Sequence, residues 1–444
     1  MTTSQFTKLA LSALAAAGTA SLLLLAGANA GPAIEKVVSK VRPTMQQPAP
    51  NHSYMDPTFS HTVTRLSNSS KRTAVGEQHI IKTDYSRVQA ENADGTKLLV
   101  LASNPAGLLQ YALLNTDGSD LQLIGLPSGN PASLDHLHDE TEARWHPLQP
   151  NIIRFIKGQN SYVGGLQVYE YDIEEHKVSV LADLTGKLPK HWGKELYGMT
   201  QFEGEYSSDG NRLAWAIETA DNNAEDAVGY VAFDLRNGGE VLGTLDYDNR
   251  EHDHLSISPS GKYVVISARK KTSAYPVDFS SEQILMRETQ HSDLCVTADG
   301  NDCYIGVSFD DTKNPDYGWV YMEELGNGKR TRIVDIFGQG NTSLHLSARA
   351  ANRPGWAVMS TYNCAAGDSS TKATNLCDRV SLVELSENPR IIPVAWTQSS
   401  GDNYYAEPHA SLNNDGSRVY FNSDWGNVGH VDVYRVDIPT GDYK

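Results

Sequence analysis

The stretch Asn92-Ala93-Asp94-Gly95-Thr96-Lys97-Leu98-Leu99-Val100 decides the fold of this chain. It places a polar Asp-Gly turn directly before an apolar strand, and Gly accepts the positive φ angle that a tight hairpin requires. The arrangement returns every forty to fifty residues, roughly, which indicates a repeated β unit. The clearest copies are Ser208-Asp209-Gly210, Pro259-Ser260-Gly261, Ala298-Asp299-Gly300 and Asn414-Asp415-Gly416, with weaker ones at His146–Pro150 and Asn352–Gly355.

A second hairpin follows each turn, for example Leu166–Tyr171 with Lys177–Leu181. Four strands per unit at this period are typical of propeller blades. We therefore predict an all-β fold, a seven-bladed β-propeller of four-stranded blades. Six or eight blades remain alternatives, because the fourth unit is irregular around Ala274–Met286.

The two ends of the repeat region complement each other. The last unit supplies only three strands, Glu407–Leu412, Ser417–Asn422 and His430–Asp437. An unassigned β segment, Phe59–Leu66, precedes the first unit. We predict that this N-terminal strand completes the last blade and closes the ring, because closure removes exposed strand edges. The propeller domain would then span residues 59–444.

The first thirty residues have the features of a signal peptide. Lys8 precedes an apolar stretch, Leu9–Leu25, and Ala28-Asn29-Ala30 has the small-residue form of a cleavage site. A retained N-terminal anchor is the alternative. Residues 31–58 are rich in Pro and are predicted to be a linker or an arm on the surface. No later segment is long and apolar enough to span a membrane, so we expect a periplasmic or secreted protein.

Four cysteines form two pairs that are close in sequence. Cys295 and Cys303 flank a predicted hairpin turn symmetrically, which brings cross-strand partners within disulfide reach. Cys364 and Cys377 would close a loop. Disulfides persist in oxidising compartments, in agreement with export; four free thiols are the alternative.

The formal net charge of −17 argues against a nucleic-acid binder, which presents a basic face. It also argues mildly against a polyanionic substrate, unless local cations or a metal offset the charge. No Gly-rich phosphate loop and no Gly-x-Ser-x-Gly elbow is present. We expect a monomer.

Ionisable residues recur at the start of the predicted innermost strands, which face the central channel of a propeller. Counting back six positions from each turn, with adjustment for the irregular turns, gives His254, His409, Asp293, Glu203, Glu142 and His345. Two positions earlier, on the same face of each strand, lie His252, Glu407, His291, Gln201 and Glu140.

Imidazoles and carboxylates converging from several strands suit a divalent cation, Mn²⁺, Ca²⁺ or Zn²⁺. The candidate metal ligands are His254, His291, His345 and His409. The same residues suit general acid–base catalysis, because His titrates near neutral pH. The alternative is structural: a polar residue at this position often hydrogen-bonds the neighbouring blade.

Further candidates line the same predicted mouth. A loop before the third unit carries His191, Trp192, Lys194 and Tyr197. Trp192 and Tyr197 would stack on a sugar ring and Lys194 would meet a carboxylate, or the loop simply packs down. Other candidates for the binding groove are Arg349, Arg353, Arg144, Tyr404 and Tyr405. An Arg fork pairs well with a carboxylate, although a surface Arg is commoner.

In this organisation the chain resembles the propeller polysaccharide lyases, the oligogalacturonate lyases most closely and the ulvan lyases in architecture. The resemblance covers most of the chain after the signal peptide. It implies that His side chains and a Gln hold a divalent metal, with His254, His345 and His409 at metal-type positions, and that a further His is the base. The family's Gln-x-x-His element is replaced here by Thr342-Ser343-Leu344-His345.

The function predicted on this basis is cleavage of a uronate-containing polysaccharide or oligosaccharide by β-elimination. His254 or His191 would abstract the C5 proton, a metal or Arg349 would neutralise the uronate carboxylate, and Tyr197 would protonate the leaving oxygen. One alternative is a non-catalytic, TolB-like binding propeller of the cell envelope. Another is a glycoside hydrolase with Glu142 and Glu203 as its carboxylate pair.

Overall fold

Antiparallel β-strands make up the regular structure of the computed structural model, and short 3-10 turns are its only helical elements among the described residues. The structure describes residues 42–157, 165–219, 227–248, 251–338, 342–363 and 376–444. Within those ranges no helix has the length and apolar character needed to cross a membrane. The first strands are β1 (Ser53–Met55), β2 (Thr62–Arg65), β3 (Ala74–Val75), β4 (Gln78–Lys82), β5 (Lys97–Ser103), β6 (Leu109–Asn115) and β7 (Gln122–Leu123).

Five separate four-stranded sheets follow, and in each the neighbouring strands are consecutive in sequence and antiparallel. The first two contain β8 (Arg144–Trp145), β9 (Ile152–Phe155), β10 (Gln167–Asp172) and β11 (Lys177–Asp183), then β12 (Leu196–Met199), β13 (Arg212–Thr219), β14 (Gly229–Asp234) and β15 (Glu240–Asp246). The next contains β16 (His252–Ile257), β17 (Tyr263–Ala268), β18 (Thr272–Pro276) and β19 (Gln283–Met286). The last two contain β20 (Ser292–Val296), β21 (Asp302–Val307), β22 (Trp319–Glu324) and β23 (Arg330–Asp335), then β24 (Ser343–Ser347), β25 (Trp356–Tyr362), β26 (Arg379–Glu384) and β27 (Ile391–Trp396).

The irregular fourth unit of the sequence is therefore a complete four-stranded sheet. Its last two strands, β18 and β19, pair with a register shift between Thr272 and Ser273, which explains the broken pattern. The turn glycine of this sheet, Gly261, has a φ of 73°, as the sequence predicts for a tight hairpin.

The remaining strands, β28 (Ser411–Leu412), β29 (Arg418–Ser423) and β30 (His430–Asp437), join β1–β7 in one ten-stranded sheet. That sheet contains two antiparallel groups, β28-β29-β30-β2 and β4-β5-β6-β7, with β1 and β3 added at the side. The groups are linked where β30 and β4 run parallel over two residue pairs. The predicted pairing of Phe59–Leu66 with the last strand is confirmed, because Val63 is opposite Val436 and Thr64 opposite Arg435.

Residues that precede β2 also lie against this last group of strands. β1 pairs with β2, with Tyr54 opposite Val63. The indole Nε1 of Trp425 donates to the carbonyl of Met45 at 2.9 Å. The part of the predicted arm that the structure describes thus contributes a strand and backbone hydrogen bonds.

The hydrophobic core lies between successive sheets. One buried cluster joins Ile305 and Val320 of one sheet to Leu344 and Met359 of the next. Another joins Val168 of β10 to Trp215 and Phe233. Each sheet therefore packs against its neighbour in sequence, which is how stacked four-stranded units bury both faces.

The disulfide predicted across the β20–β21 hairpin is present. Cys295 and Cys303 are register partners with a Cα–Cα distance of 4.8 Å. The second predicted pair includes Cys364, which lies outside the described residues.

Candidate functional site

The first strand of one sheet and the segment before the first strand of the next bring a carboxylate between two imidazoles. His345 lies in the middle of β24, while Glu407 and His409 lie just before β28. The Glu407 Oε2 atom is 3.4 Å from His345 Nε2 and 3.6 Å from His409 Nε2. One ligand atom from each of these residues lies within 4.8 Å of the others. These three residues are the metal-type cluster.

The backbone holds the second half of this cluster in an unusual conformation. His409 has a φ of 40°, in the left-handed region that a non-glycine residue seldom adopts. Hydrogen bonds on either side fix it: Asn422 N donates to the Pro408 carbonyl at 2.8 Å and Ala410 N donates to Ser360 Oγ at 3.1 Å. Such strained positions concentrate at functional sites.

The ring nitrogens of the cluster are available to a ligand. His345 and His409 are both fully buried, yet no described residue gives any of their four ring nitrogens a hydrogen bond. Burial lowers the pKa of both imidazoles well below its usual value, which favours the neutral ring with one acceptor nitrogen in each. Orphaned buried nitrogens of this kind fit a metal ion.

The donor set also bears on which ion would fit. Burial raises the pKa of Glu407 to about 7, and hydrogen bonding to Tyr362 and the charge of Lys82 oppose that rise. Two imidazoles and one carboxylate suit Mn²⁺ or Zn²⁺, whereas Ca²⁺ prefers oxygen ligands throughout.

His291 lies directly beside the cluster. Its ring centroid is 4.6 Å from that of His345, and its Nδ1 is 2.8 Å from the Tyr85 hydroxyl. Burial, followed by the charge of Arg87, lowers the pKa of His291 to about 4. The structure therefore brings together three of the four predicted metal ligands, His291, His345 and His409.

The fourth, His254, lies in β16 among different partners. Its Nδ1 is 3.3 Å from Asp253 Oδ2 and 3.5 Å from Glu203 Oε2. In the tautomer that donates from Nδ1 toward these carboxylates, Nε2 is the acceptor atom of the ring. Nε2 is buried and no described residue hydrogen-bonds to it. His254 also lines a small cavity together with Arg87, Ser267 and Tyr304.

The segment after β4 contributes residues that the repeat count missed. Tyr85 packs edge-on against the His345 ring, with centroids 5.4 Å apart. Arg87 pairs with Glu203 at 3.1 Å. This segment leaves the regular pairing after Lys82 and rejoins β5 at the bridge between Glu91 and Leu98. Its only signal in the sequence is the run Lys82-Thr83-Asp84-Tyr85-Ser86-Arg87.

Two of the inner-strand carboxylates have the structural role that was the alternative. Glu142 is buried and accepts hydrogen bonds from the backbone of Thr200 at 3.0 Å and of Phe202 at 2.7 Å, both near the start of the next sheet. Asp293 accepts from Ala348 N at 2.7 Å in the same manner. Both side chains connect one blade-like sheet to the next.

The loop before β12 contacts β14 and β15 of its own sheet. His191 is exposed, and its Nε2 is 2.8 Å from Asp246 at the end of β15. Trp192 is buried, donates to the same carboxylate at 2.7 Å and packs against Gly229. Lys194 is exposed. Among the described residues, no ring contact or ion pair joins His191 or Trp192 to the metal-type cluster.

The other predicted groove residues divide between interior and surface. The Tyr197 hydroxyl donates to the buried Glu218 at 2.5 Å. Arg349 is buried and donates to Ser256 Oγ at 2.6 Å. Arg353 lies in the turn after β24 and donates to the Asp415 carbonyl at 3.1 Å.

Two tyrosines of the groove set lie nearer the cluster. The ring of Tyr404 is 5.1 Å from that of His409, and the ring of Tyr405 is 5.8 Å from that of Tyr404. Tyr404 is 52% exposed, so it presents an aromatic face to solvent beside the buried imidazoles.

Comparisons with known proteins address the fold. No family model and no curated protein matches the sequence. An oligogalacturonate lyase in complex with manganese aligns with 88% of this chain and 97% of its own, at a TM-score of 0.58 and 14% identity. An oligogalacturonate lyase from Vibrio parahaemolyticus gives the same values. The β-propeller domain of Cps50 (Swd1) from Myceliophteria thermophila aligns with 81% of this chain and 98% of its own, at a TM-score of 0.46 and 10% identity.

The first two alignments show the fold: the chain is an all-β propeller of stacked four-stranded sheets. The site adds two buried imidazoles and a partly buried carboxylate, and the ring nitrogens have no hydrogen bond from the described residues.

Proposed function

We propose that this chain is a polysaccharide lyase that cleaves a uronate-containing polysaccharide or oligosaccharide by β-elimination at the metal-type cluster. The observation that carries the proposal is the set of buried ring nitrogens of His345 and His409, which surround Glu407 and have no hydrogen bond from the described residues. The structural likeness to an oligogalacturonate lyase in complex with manganese supports it. We also infer seven blades, counting the ten-stranded sheet as two groups of four strands.

A divalent metal would be held by His345, Glu407 and His409, with His291 adjacent. When bound, such an ion acts as a Lewis acid toward a coordinated carboxylate, and this makes the neighbouring C5 proton easier to remove. Tyr85 would orient His291 through its hydroxyl, which is 2.8 Å from Nδ1.

His254 is the residue we assign as base. Asp253 and Glu203 face its Nδ1, so Nε2 is the atom that can accept a proton. Removal of the C5 proton would form a double bond between C4 and C5 as the C4–oxygen bond breaks. The leaving oxygen then needs a proton, and Tyr404 has an exposed ring beside His409. His191 is less suited as the base, because it lies on Asp246 at the outermost strand of its sheet.

We propose further that the protein is a secreted or periplasmic monomer and that residues 1–30, which lie outside the described residues, are its signal peptide. The hairpin disulfide is compatible with export.

The proposal is tested by incubating the purified protein with polygalacturonate, ulvan, alginate and glycosaminoglycans, and following the ultraviolet absorbance of unsaturated uronates. We expect absorbance to rise on one substrate and to stay flat with the His254→Asn variant. A flat trace from folded, metal-loaded protein on every substrate would refute the lyase assignment and favour the binding-propeller alternative.

A further inference from the structure

Lys82, the last residue of β4, carries a buried and uncommitted charge. The residue is 2% exposed, and its ammonium has no hydrogen bond or ion pair with any part of the chain that the structure describes. A buried charge without a partner is costly to fold, so such a group is normally paired. This position therefore differs from that of a surface lysine.

The surroundings of Lys82 place it at the metal-type cluster. Its Nζ lies 5.6 Å from the centre of the Tyr404 ring. The negative charges of Asp84, Glu407 and Asp139 act on it from beyond ion-pair distance, while burial lowers its pKa. The ammonium is thus near the solvent-exposed Tyr404 but forms an ion pair with none of these carboxylates.

The neighbouring arginine side chains already form ion pairs. Arg87 pairs with Glu203 at 3.1 Å, and Arg144 pairs with Asp84 at 3.0 Å. Among the described cations of this region, Lys82 is the one left to meet an incoming anion.

We propose that Lys82 binds the carboxylate of an acidic sugar, with Tyr404 as the adjacent platform for the pyranose ring. The assignment of the sugar class rests on the proposed function. A monoanionic carboxylate fits better than a phosphate dianion, because Asp84, Asp139 and Glu407 would repel the additional negative charge. An exposed aromatic face next to a charged group suits a sugar, whose ring has both an apolar face and polar substituents. Lys82, rather than Lys194, is then the specificity-determining lysine.

The test uses ligands that have no glycosidic bond to cleave. Binding of D-galacturonate and D-glucuronate is compared with that of the neutral hexoses D-galactose and D-glucose, by ligand-observed NMR titration of the metal-loaded protein. The variants are Lys82→Met and Lys82→Gln. Lys177→Met, which removes an exposed lysine at the start of β11, is the matched control.

We expect the wild type and Lys177→Met to prefer one uronate over its neutral hexose. Both Lys82 variants should lose about tenfold or more in affinity for that uronate. Lys82→Met should also raise the thermal unfolding midpoint, since it removes an unsatisfied buried charge. Equal binding by Lys82→Met and wild type, no preference for a uronate, or a lowered midpoint in Lys82→Met would each overturn the proposal.

The outcomes separate this inference from the proposed function. Uronate binding that depends on Lys82, in a protein that forms no elimination product, supports the subsite and refutes the lyase. Elimination that survives in Lys82→Met with unchanged KM supports the lyase and overturns the subsite.

Discussion

The imidazole rings of His345 and His409 lie with their centroids 4.2 Å apart, and each ring is buried without a hydrogen bond from the described residues. The two rings come from different sheets and meet over the Glu407 carboxylate. Buried polar atoms normally have a bonding partner, so these neutral imidazoles are expected to bind a further group through their ring nitrogens.

Metal content is the first prediction from this pair. His345→Ala or His409→Ala should remove the tightly bound metal and lower activity by about a hundredfold or more, because each removes one of the three ligands. Metal analysis after gel filtration, together with kcat/KM, measures both. His52→Ala, at an exposed histidine of the arm, is the control. Full metal content in both cluster variants would rule out this site.

The choice of base gives a second prediction. His254→Asn should lower kcat by about 10²–10⁴-fold with bound metal unchanged, because it removes the proton acceptor and leaves the cluster intact. His191→Asn should keep its kcat, since that ring lies on Asp246. If His191→Asn lost kcat and His254→Asn kept it in steady-state kinetics, the base would be His191 in the loop before β12.

Glu142 predicts a stability effect without a direct role in the chemistry. Glu142→Ala leaves the buried amides of Thr200 and Phe202 without their acceptor, which should cost about 2–4 kcal/mol in the free energy of unfolding. Glu174→Ala, at an exposed turn, should change it by less than about 0.5 kcal/mol. Urea unfolding of the two variants decides this, and equal stabilities would contradict the inter-sheet role.

His146 predicts a pH dependence of stability. Burial and the nearby Arg154 lower its pKa to about 4, and its Nδ1 accepts backbone hydrogen bonds from Leu148 and Gln149. The unfolded chain therefore binds a proton more readily, so stability contributed by neutral His146 is full above about pH 6.5 and is lost as the pH falls toward about 4.

His146→Asn keeps an acceptor for the same two amides but does not titrate. When the pH falls from about 7 to about 5, the free energy of unfolding should drop by about 1 kcal/mol less in the variant than in the wild type. This difference already includes a reduction for partial screening by solvent. Denaturant unfolding at the two pH values measures this. An identical pH dependence in both proteins would show that His146 is not a source of acid sensitivity.

The sequence predicts the sheets well because their signals are local. The turn at Gly261 needs a positive φ, and the strand that follows it begins with the apolar run Tyr263–Ile266. The pairing of Phe59–Leu66 with the last strand also followed from counting strands in the final unit. The disulfide of Cys295 and Cys303 followed from their symmetry about one turn.

The sequence predicts the site only in part. His345 and His409 could be found because counting back from the turn of each repeat unit reaches them. Lys82 and Tyr85 could not, because the chain leaves the regular ladder between β4 and the Glu91–Leu98 bridge, and no fixed offset from the turn reaches them. Trp192 resembled a sugar platform, but its indole packs on Gly229, a tertiary contact that no local pattern encodes.

The most direct test of the central claim is mass spectrometry of the reaction products formed in water that is labelled in its oxygen atom. The substrate is the uronate polysaccharide on which the protein is active. Elimination breaks the glycosidic bond without adding water, so we predict unsaturated products that carry no label at the new ends and that disappear in His254→Asn. Incorporation of labelled oxygen into saturated products would show hydrolysis and would contradict the assignment of this propeller as a lyase.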